Sequence, residues 1–259
     1  MEFQFASRAT QGARSYQEDS VAVRAGPGGE GAGGTEGRAA ELTAALADGM
    51  GGHVGGALAS QTVCRTFLAA YGDSTGTIVD RLHGAMNLAN DAIASAVVEN
   101  PGLNGMGCTL VGASFSTPGL AWVSVGDSPM FLIRRGEIQL LNEDHSLAPE
   151  IDKLAAAGKI TKEEAENDPR RHFLRSALTG TEIDLVDHPQ KPLTLETDDI
   201  VVLASDGIQT LGPAEILRVA SAYAAEGPKA IVDALIRTVE AAREPYQDNT
   251  TVVAVRVVA

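Results

Sequence analysis

Aromatic residues make up only 4% of this 259-residue chain, cysteine occurs twice, and Lys plus Arg number 20 against 34 Asp plus Glu. Each shortage excludes something. Cys64 and Cys108 form neither a CxxC pair nor a disulfide framework. A formal net charge of −14 removes the basic footprint of a nucleic-acid binder, and an anionic membrane surface would repel the chain. No apolar run approaches the length of a membrane span. Met1-Glu2-Phe3-Gln4 lacks the charged-then-apolar pattern of a signal peptide. The expectation is a cytoplasmic, reduced protein that contacts neither nucleic acid nor membrane. What is present is ordinary apolar content, 44%, in a chain near the size of roughly 250–300 residues where single cores stop growing. One domain over residues 1–259 is therefore expected.

Alternation of polar and apolar residues marks 2–6 as an opening strand, with a short second strand at 21–23. A glycine-rich tract at 26–37 reads as a mobile hairpin loop before a strand at 42–47. Two helices follow. Ala59, Val63, Phe67 and Ala70 share one face of the first, and Ile78, Leu82, Met86, Ala89, Ile93 and Val97 form a stripe on the second. Asn100-Pro101-Gly102 ends it. Segments from Cys108, Leu120, Pro129 and Glu137 read as a four-strand antiparallel meander. Residues 149–167 are helical, highly charged and short of large apolar side chains, as expected of a loosely packed flap at about 147–172. A buried strand at 200–204, helices at 214–223 and 228–243, and a closing strand at 251–258 complete the order. Strands that bracket paired helices predict an α+β fold. Its form would be two packed antiparallel β-sheets flanked by helix pairs, an α-β-β-α sandwich with a small flap subdomain.

The chemistry is suggested by where acidic residues fall. Ala44-Ala45-Leu46-Ala47 runs into Asp48-Gly49, Trp122-Val123-Ser124-Val125 into Gly126-Asp127, and Val201-Val202-Leu203-Ala204 into Ser205-Asp206-Gly207. Asp248 stands just before the last strand and Glu18-Asp19 just before the second. One Asp-Gly at a strand end is a turn former; five acidic strand ends point to a shared role. Clustered carboxylates raise one another's pKa unless a cation sits among them, and Arg14 is the basic residue that accompanies these. A hard divalent cation held by oxygen is the natural counter-charge. Without HExxH or clustered histidines, Mg²⁺ or Mn²⁺ suits the donor set better than Zn²⁺. Two such ions ~3.5–4 Å apart can deprotonate a water and clamp a phosphoryl group.

Seven motifs occur in one order: Arg14-Ser15-Tyr16-Gln17-Glu18-Asp19, Asp48-Gly49-Met50-Gly51-Gly52-His53, Gly105-Met106-Gly107-Cys108-Thr109, Gly126-Asp127-Ser128, Asp144-His145-Ser146, Ala204-Ser205-Asp206-Gly207 and Asp248-Asn249-Thr250. Together they resemble the metal-dependent Ser/Thr protein phosphatases of type 2C, in their compact bacterial form. The resemblance implies that Asp48 bridges two catalytic ions, Mn²⁺ or Mg²⁺, and that the Gly49 carbonyl binds one of them. It implies Asp206 and Asp248 as the remaining direct ligands, Asp19 reaching the metals through water, and Glu18 beside it. Asp127 would hold a third, weaker ion shared with Asp206. Arg14 would grip the substrate phosphate, a task suited to its planar donor fork. The implied reaction is hydrolysis of phosphoserine and phosphothreonine in proteins by direct attack of a metal-bridging hydroxide. The implied partners are a Ser/Thr kinase and its substrates, and the implied state is a monomer.

Some readings stay open at this level. A regulatory pseudophosphatase that binds phosphoproteins, or a small-molecule phosphomonoesterase, would use the same fold. His53 is a candidate proton donor to the leaving oxygen, or it orients the glycine-rich turn. Cys108 is a buried thiol or a redox switch. Pro129, where Arg is usual, should begin a strand or lie on an edge. Arg170-Arg171 is either a contact for an acidic phosphoprotein or a solvated pair. Two overlapping GxGxxG matches at 26–34 have no helix to open and read as chance.

Overall fold

The apolar runs lack polar alternation because most of the strands are covered on both faces, and a period of two decides which residue meets which cover. The computed structural model describes residues 1–30, 34–52 and 54–259. Its first strands are β1 (Glu2–Thr10), β2 (Ser20–Ala25), β3 (Glu36–Ala39), β4 (Leu42–Ala47) and β5 (Gly49–Met50), followed by helices α1 (Val54–Asp73) and α2 (Ile78–Glu99). Next come β6 (Gly107–Cys108), β7 (Leu110–Ser116), β8 (Gly119–Val125), β9 (Met130–Arg134) and β10 (Glu137–Leu140). Helices α3 (Ala148–Ala156) and α4 (Lys162–Glu166) precede β11 (Ile200–Ala204), α5 (Pro213–Ala222), α6 (Pro228–Ala242) and β12 (Thr250–Val258).

Six strands in the order β10-β9-β11-β12-β1-β3 form one sheet, and four in the order β2-β4-β7-β8 form the other. All these pairings are antiparallel. Leu42, Ala44 and Leu46 of β4 meet Phe3 and Phe5 of β1, Val201 and Leu203 of β11, and Val253 and Val255 of β12 between the sheets. The alternate residues Ala45 and Ala47 pack with Ala59, Val63 and Phe67 of α1 and Leu82, Met86 and Ile93 of α2. On the far side, Val202, Ala204, Val252 and Ala254 pack with Ile216 of α5 and Ile231, Leu235 and Val239 of α6. The α-β-β-α sandwich expected from the element order is the observed architecture. Gly112 of β7 lets α1 come close, since a Cβ there would overlap the Phe67 ring.

The expected four-strand meander is divided between the sheets. β7 and β8 belong to the four-stranded sheet, whereas β9 and β10 are the edge hairpin of the other. The chain crosses over at residues 126–129, where Gly126 takes a φ of +103°. Hydrophobic periodicity reports which faces are covered, not which strand lies alongside, so this division is not written in the pattern. Pro129 directly precedes β9, where its missing N–H is not needed, and its carbonyl accepts from Ala204 N at 3.0 Å. Of the expected glycine-rich loop, residues 31–33 lie outside the described residues. The segment that carries α3 and α4 is thinly anchored by apolar contact: α3 buries Ile151 and α4 buries Ala165. Among the described residues no helix is long and apolar enough to cross a membrane.

Candidate active site

Antiparallel register gathers the acidic strand ends. Ser20 pairs with Ala47, so Asp19 just before β2 and Asp48 just after β4 share an edge. The pairings Leu46 with Val111 and Leu110 with Val125 carry Asp127, two residues beyond β8, to the same edge. In the other sheet Ala204 pairs with Val252, which places Asp206 beyond β11 near Asp248 before β12. Face-to-face packing joins the two edges. The result is a cleft of about 870 Å³ whose lining includes Arg14, Glu18, Asp48, Gly49, Asp127, Asp206 and Asp248. Asp19 is buried beside it and receives a hydrogen bond from Ser205 Oγ at 2.7 Å.

Neutral side chains hold this arrangement. Asn249 accepts from Glu18 N at 2.8 Å and donates to the Gln11 and Tyr16 carbonyls, both at 2.9 Å, so the start of β12 fixes the 11–19 segment. Thr109 clasps Asp48 twice: its N–H donates to the Asp48 carbonyl, and its hydroxyl accepts from Asp48 N, both at 2.9 Å. Buried His145 braces the sheet crossover, with Nδ1 accepting from Gly126 N at 3.2 Å. That bond requires the neutral ring, and burial keeps the His145 pKa below its usual value. Gly49 sits where a Cβ would overlap the carbonyls of Gly56 and Glu18, so the first turn of α1 can close on the cleft. Ser205 is the link between sheets: while donating to Asp19 it accepts from Thr251 N at 2.9 Å. Ser205→Ala would leave a buried carboxylate oxygen and a buried N–H without partners, at about 1–3 kcal/mol. Thermal unfolding should therefore shift down by several degrees, and an unchanged melting temperature would show the bridge to be idle.

The electrostatics are those of charges kept from water without enough compensation. Burial raises the Asp48 carboxyl well above the ordinary aspartate range, with the charges of Asp19, Asp206, Asp127 and Asp248 adding to the effect. Asp19 rises to about 6 through burial, partly offset by the Ser205 hydrogen bond, and Asp127 to about 7 through burial and then the charges of Asp206 and Asp144. Asp206 is raised by burial and Asp248, offset by a hydrogen bond from Asp48. Arg14 reaches one member, its Nη2 lying 2.5 Å from Asp248 Oδ2.

The acidic centre offers mainly carboxylate and carbonyl oxygens, with His172 on the same cleft, and a set so rich in oxygen suits a hard cation. Asp19 Oδ1 and Asp206 Oδ1 are buried without a hydrogen-bond partner. Such orphaned carboxylate oxygens are costly unless a cation meets them. Among the described residues no three acidic, histidine or cysteine side chains stand in ready-made ligand geometry. The carboxylates are gathered, but Asp248 is turned to Arg14 and Asp19 to Ser205. In donor chemistry and orphaned oxygens the residues fit a divalent metal.

Residues 32–251 match the family description Protein phosphatase 2C. The chain belongs to that family. It is 37% identical over 168 residues to the serine/threonine protein phosphatase PstP of Mycobacterium tuberculosis, an alignment covering 63% of this chain and 31% of that protein. The chain thus aligns with about a third of the length of that curated relative. Its fold superposes on the crystal structure of the Mycobacterium tuberculosis phosphatase PstP/Ppp with a TM-score of 0.79 and 32% identity, covering 100% of both chains. A structure of the PstP catalytic domain in complex with two manganese ions gives a TM-score of 0.77 at 31% identity, again over 100% of both.

Within this family member, the acidic residues expected from the sequence and Arg14 converge, and His53 lies outside the described residues. Sequence reasoning missed Ser205, Asn249 and Thr109 as the residues that hold the aspartates. Each stood inside a quoted motif, and Ser205 and Asn249 stood directly beside an acidic residue, which was the available signal. Asp144 was also missed; its charge reaches Asp127. The open alternative at Cys108 closes on the inert thiol: it is fully buried, and burial pushes its pKa well above the usual value. Arg170 and Arg171 are committed internally, Arg170 to Asp168 at 2.7 Å and Arg171 to Asp152 at 2.5 Å.

Proposed function

We propose that this chain is a divalent-metal-dependent phosphatase that removes phosphate from phosphoserine and phosphothreonine in proteins. The observation that carries the reading is the convergence of aspartates from both sheets on one cleft, with Arg14 at its edge and buried oxygens of Asp19 and Asp206 unsatisfied. In this reading Asp48, the Gly49 carbonyl, Asp206 and Asp248 hold two Mn²⁺ or Mg²⁺ ions, Asp19 supports them through water with Glu18 beside it, and Asp127 shares a third, weaker ion with Asp206. When bound, such ions supply an activated water and positive charge facing the phosphoryl oxygens.

The chain's own contributions follow from its geometry. Thr109 and Ser205 hold Asp48 and Asp19 in place, so the aspartates need not reorganise. Arg14 is half exposed and gives one donor to Asp248, which leaves further guanidinium N–H groups for a phosphate. The flap at 147–172 borders the cleft in this reading, and the whole of 1–259 forms one catalytic domain. The kinase that places the phosphate marks is the expected counterpart.

The test is hydrolysis of phosphothreonine peptides and of sugar phosphates with Mn²⁺ present. Faster turnover of the peptides supports the protein-phosphatase reading, and faster turnover of sugar phosphates replaces it with a phosphomonoesterase. Arg14→Ala should mainly raise KM, by roughly tenfold or more, because a charge-assisted hydrogen bond of about 1.5–3 kcal/mol is lost in ground and transition states alike. Unchanged KM and kcat would make Arg14 an ordinary surface charge.

A further inference from the structure

The exposed aromatic side chains of the described residues are Tyr16, Phe173 and Tyr246, at 49%, 61% and 92% exposure, and all three belong to segments around the cleft. The other phenylalanines and Trp122 are buried. Phe173 and Tyr246 are large rings exposed to water on cavity walls, in a position to meet a ligand in the cleft.

The cavities beside these rings adjoin. The acidic cleft and a second cavity of about 630 Å³ share Arg14, His172, Asp206 and Asp248. Phe173 lines the first and Tyr246 the second. The proposed phosphate-gripping residue therefore lies on the wall common to both cavities, the two arms of the site, with an exposed ring along each arm. An extended peptide whose phosphorylated side chain reached Arg14 would pass its neighbouring residues along both arms.

Charge decides what those residues should be. Glu182 and Asp184 line the Phe173 arm and Glu244 the Tyr246 arm, while Arg175, also on the Phe173 arm, is paired with Glu150 at 3.7 Å. The three lining acids are exposed, and among the described residues none is in an ion pair, whereas Arg170, Arg171 and Arg218 all are. An aromatic ring and an unpaired carboxylate lining one cavity are the setting a guanidinium or ammonium prefers, through cation–π attraction and ion pairing together.

We propose that Phe173 and Tyr246 are specificity-determining walls against which a phosphoprotein lays basic residues flanking its phosphorylated side chain. The assignment rests on the phosphatase reading of the cleft, and the experiment separates the two. Steady-state kinetics with Mn²⁺ would compare an aryl phosphate, a phosphothreonine peptide with arginines on both sides, and the same peptide with glutamates in their place. Calorimetry would read peptide binding independently of turnover. The expected result is at least a tenfold preference in kcat/KM for the arginine peptide. In the Phe173→Ala/Tyr246→Ala double variant, kcat/KM for that peptide should fall at least fivefold more than for the aryl phosphate, with the change in KM. Equal use of both peptides by the parent chain, or an unchanged peptide ratio in the double variant, would overturn the proposal while leaving the phosphatase reading intact. Preferential binding of the arginine peptide without hydrolysis of any ester would instead overturn the phosphatase reading and retain the walls. A chain that neither binds nor hydrolyses these compounds would overturn both.

Discussion

Asp48→Asn should lower phosphopeptide turnover by about a thousandfold or more, while the metal-free protein becomes more stable. In the proposed centre Asp48 alone serves both ions, and an amide supplies no negative charge to hold two divalent cations. Losing several kcal/mol of metal-borne stabilisation corresponds to ~10³ or more in rate. The stability gain comes from the same residue seen without metal. Asp48 is buried among Asp19, Asp206, Asp127 and Asp248 and its carboxyl is raised well above the ordinary range, so an amide, neutral without taking up a proton, avoids the cost that folding imposes on the acid. Asp127→Asn is the control. Its carboxyl, also buried, is matched only to the weaker ion, so activity should fall by roughly tenfold and shift its Mn²⁺ dependence, with two tighter ions still bound. Calorimetric metal titration with parallel kinetics decides between these roles. Full activity in Asp48→Asn, or loss of the two tight ions in Asp127→Asn, would overturn the ligand assignment.

Chelation is expected to abolish phosphopeptide hydrolysis and to expose an inverted pH dependence of stability. Asp19 and Asp127 titrate at about 6 and about 7 in the folded chain, against an ordinary value of 3.8. Between those limits the native state holds more protons than the unfolded state, so its stability falls as pH rises. The part owed to these two groups should be complete by about pH 8 and amount to several kcal/mol, or on the order of 10 °C or more in melting temperature. Mn²⁺ replaces those protons, so its affinity should rise over the same interval and its addition near pH 8 should restore the melting temperature. A chelated protein whose melting temperature stays level or rises from about pH 5 to pH 8 would show that the aspartates are not buried against one another. Phosphopeptide hydrolysis that survives exhaustive chelation would remove the metal from the reaction.

Much of this molecule is legible along the chain because its signals are local. Runs such as residues 42–47 and 200–204 could bury both faces only as central strands, and the stripes at Ile78–Val97 and Ile231–Val239 could bury one face only as helices. Aspartates at the ends of such strands were therefore rigidly placed before any pairing was known. Antiparallel register then made neighbours of Asp19 and Asp48, and of Asp206 and Asp248. Tertiary structure alone decided the rest. The change of sheet at residues 126–129 depends on partner strands far away in sequence, and period-two patterning carries no label for a partner. Ser205 reads as an ordinary residue until packing sets it between Asp19 and Thr251 N. The same holds for Arg170 and Arg171, whose charges looked available and are taken by Asp168 and Asp152. Phe173 and Tyr246 lie 73 positions apart and carry no shared motif; only the fold sets them on two cavities that share Arg14. Covalent order and side-chain chemistry determined which strands could form and which ends would be acidic. Long-range packing, which no short window of sequence encodes, determined that those ends meet in one cleft.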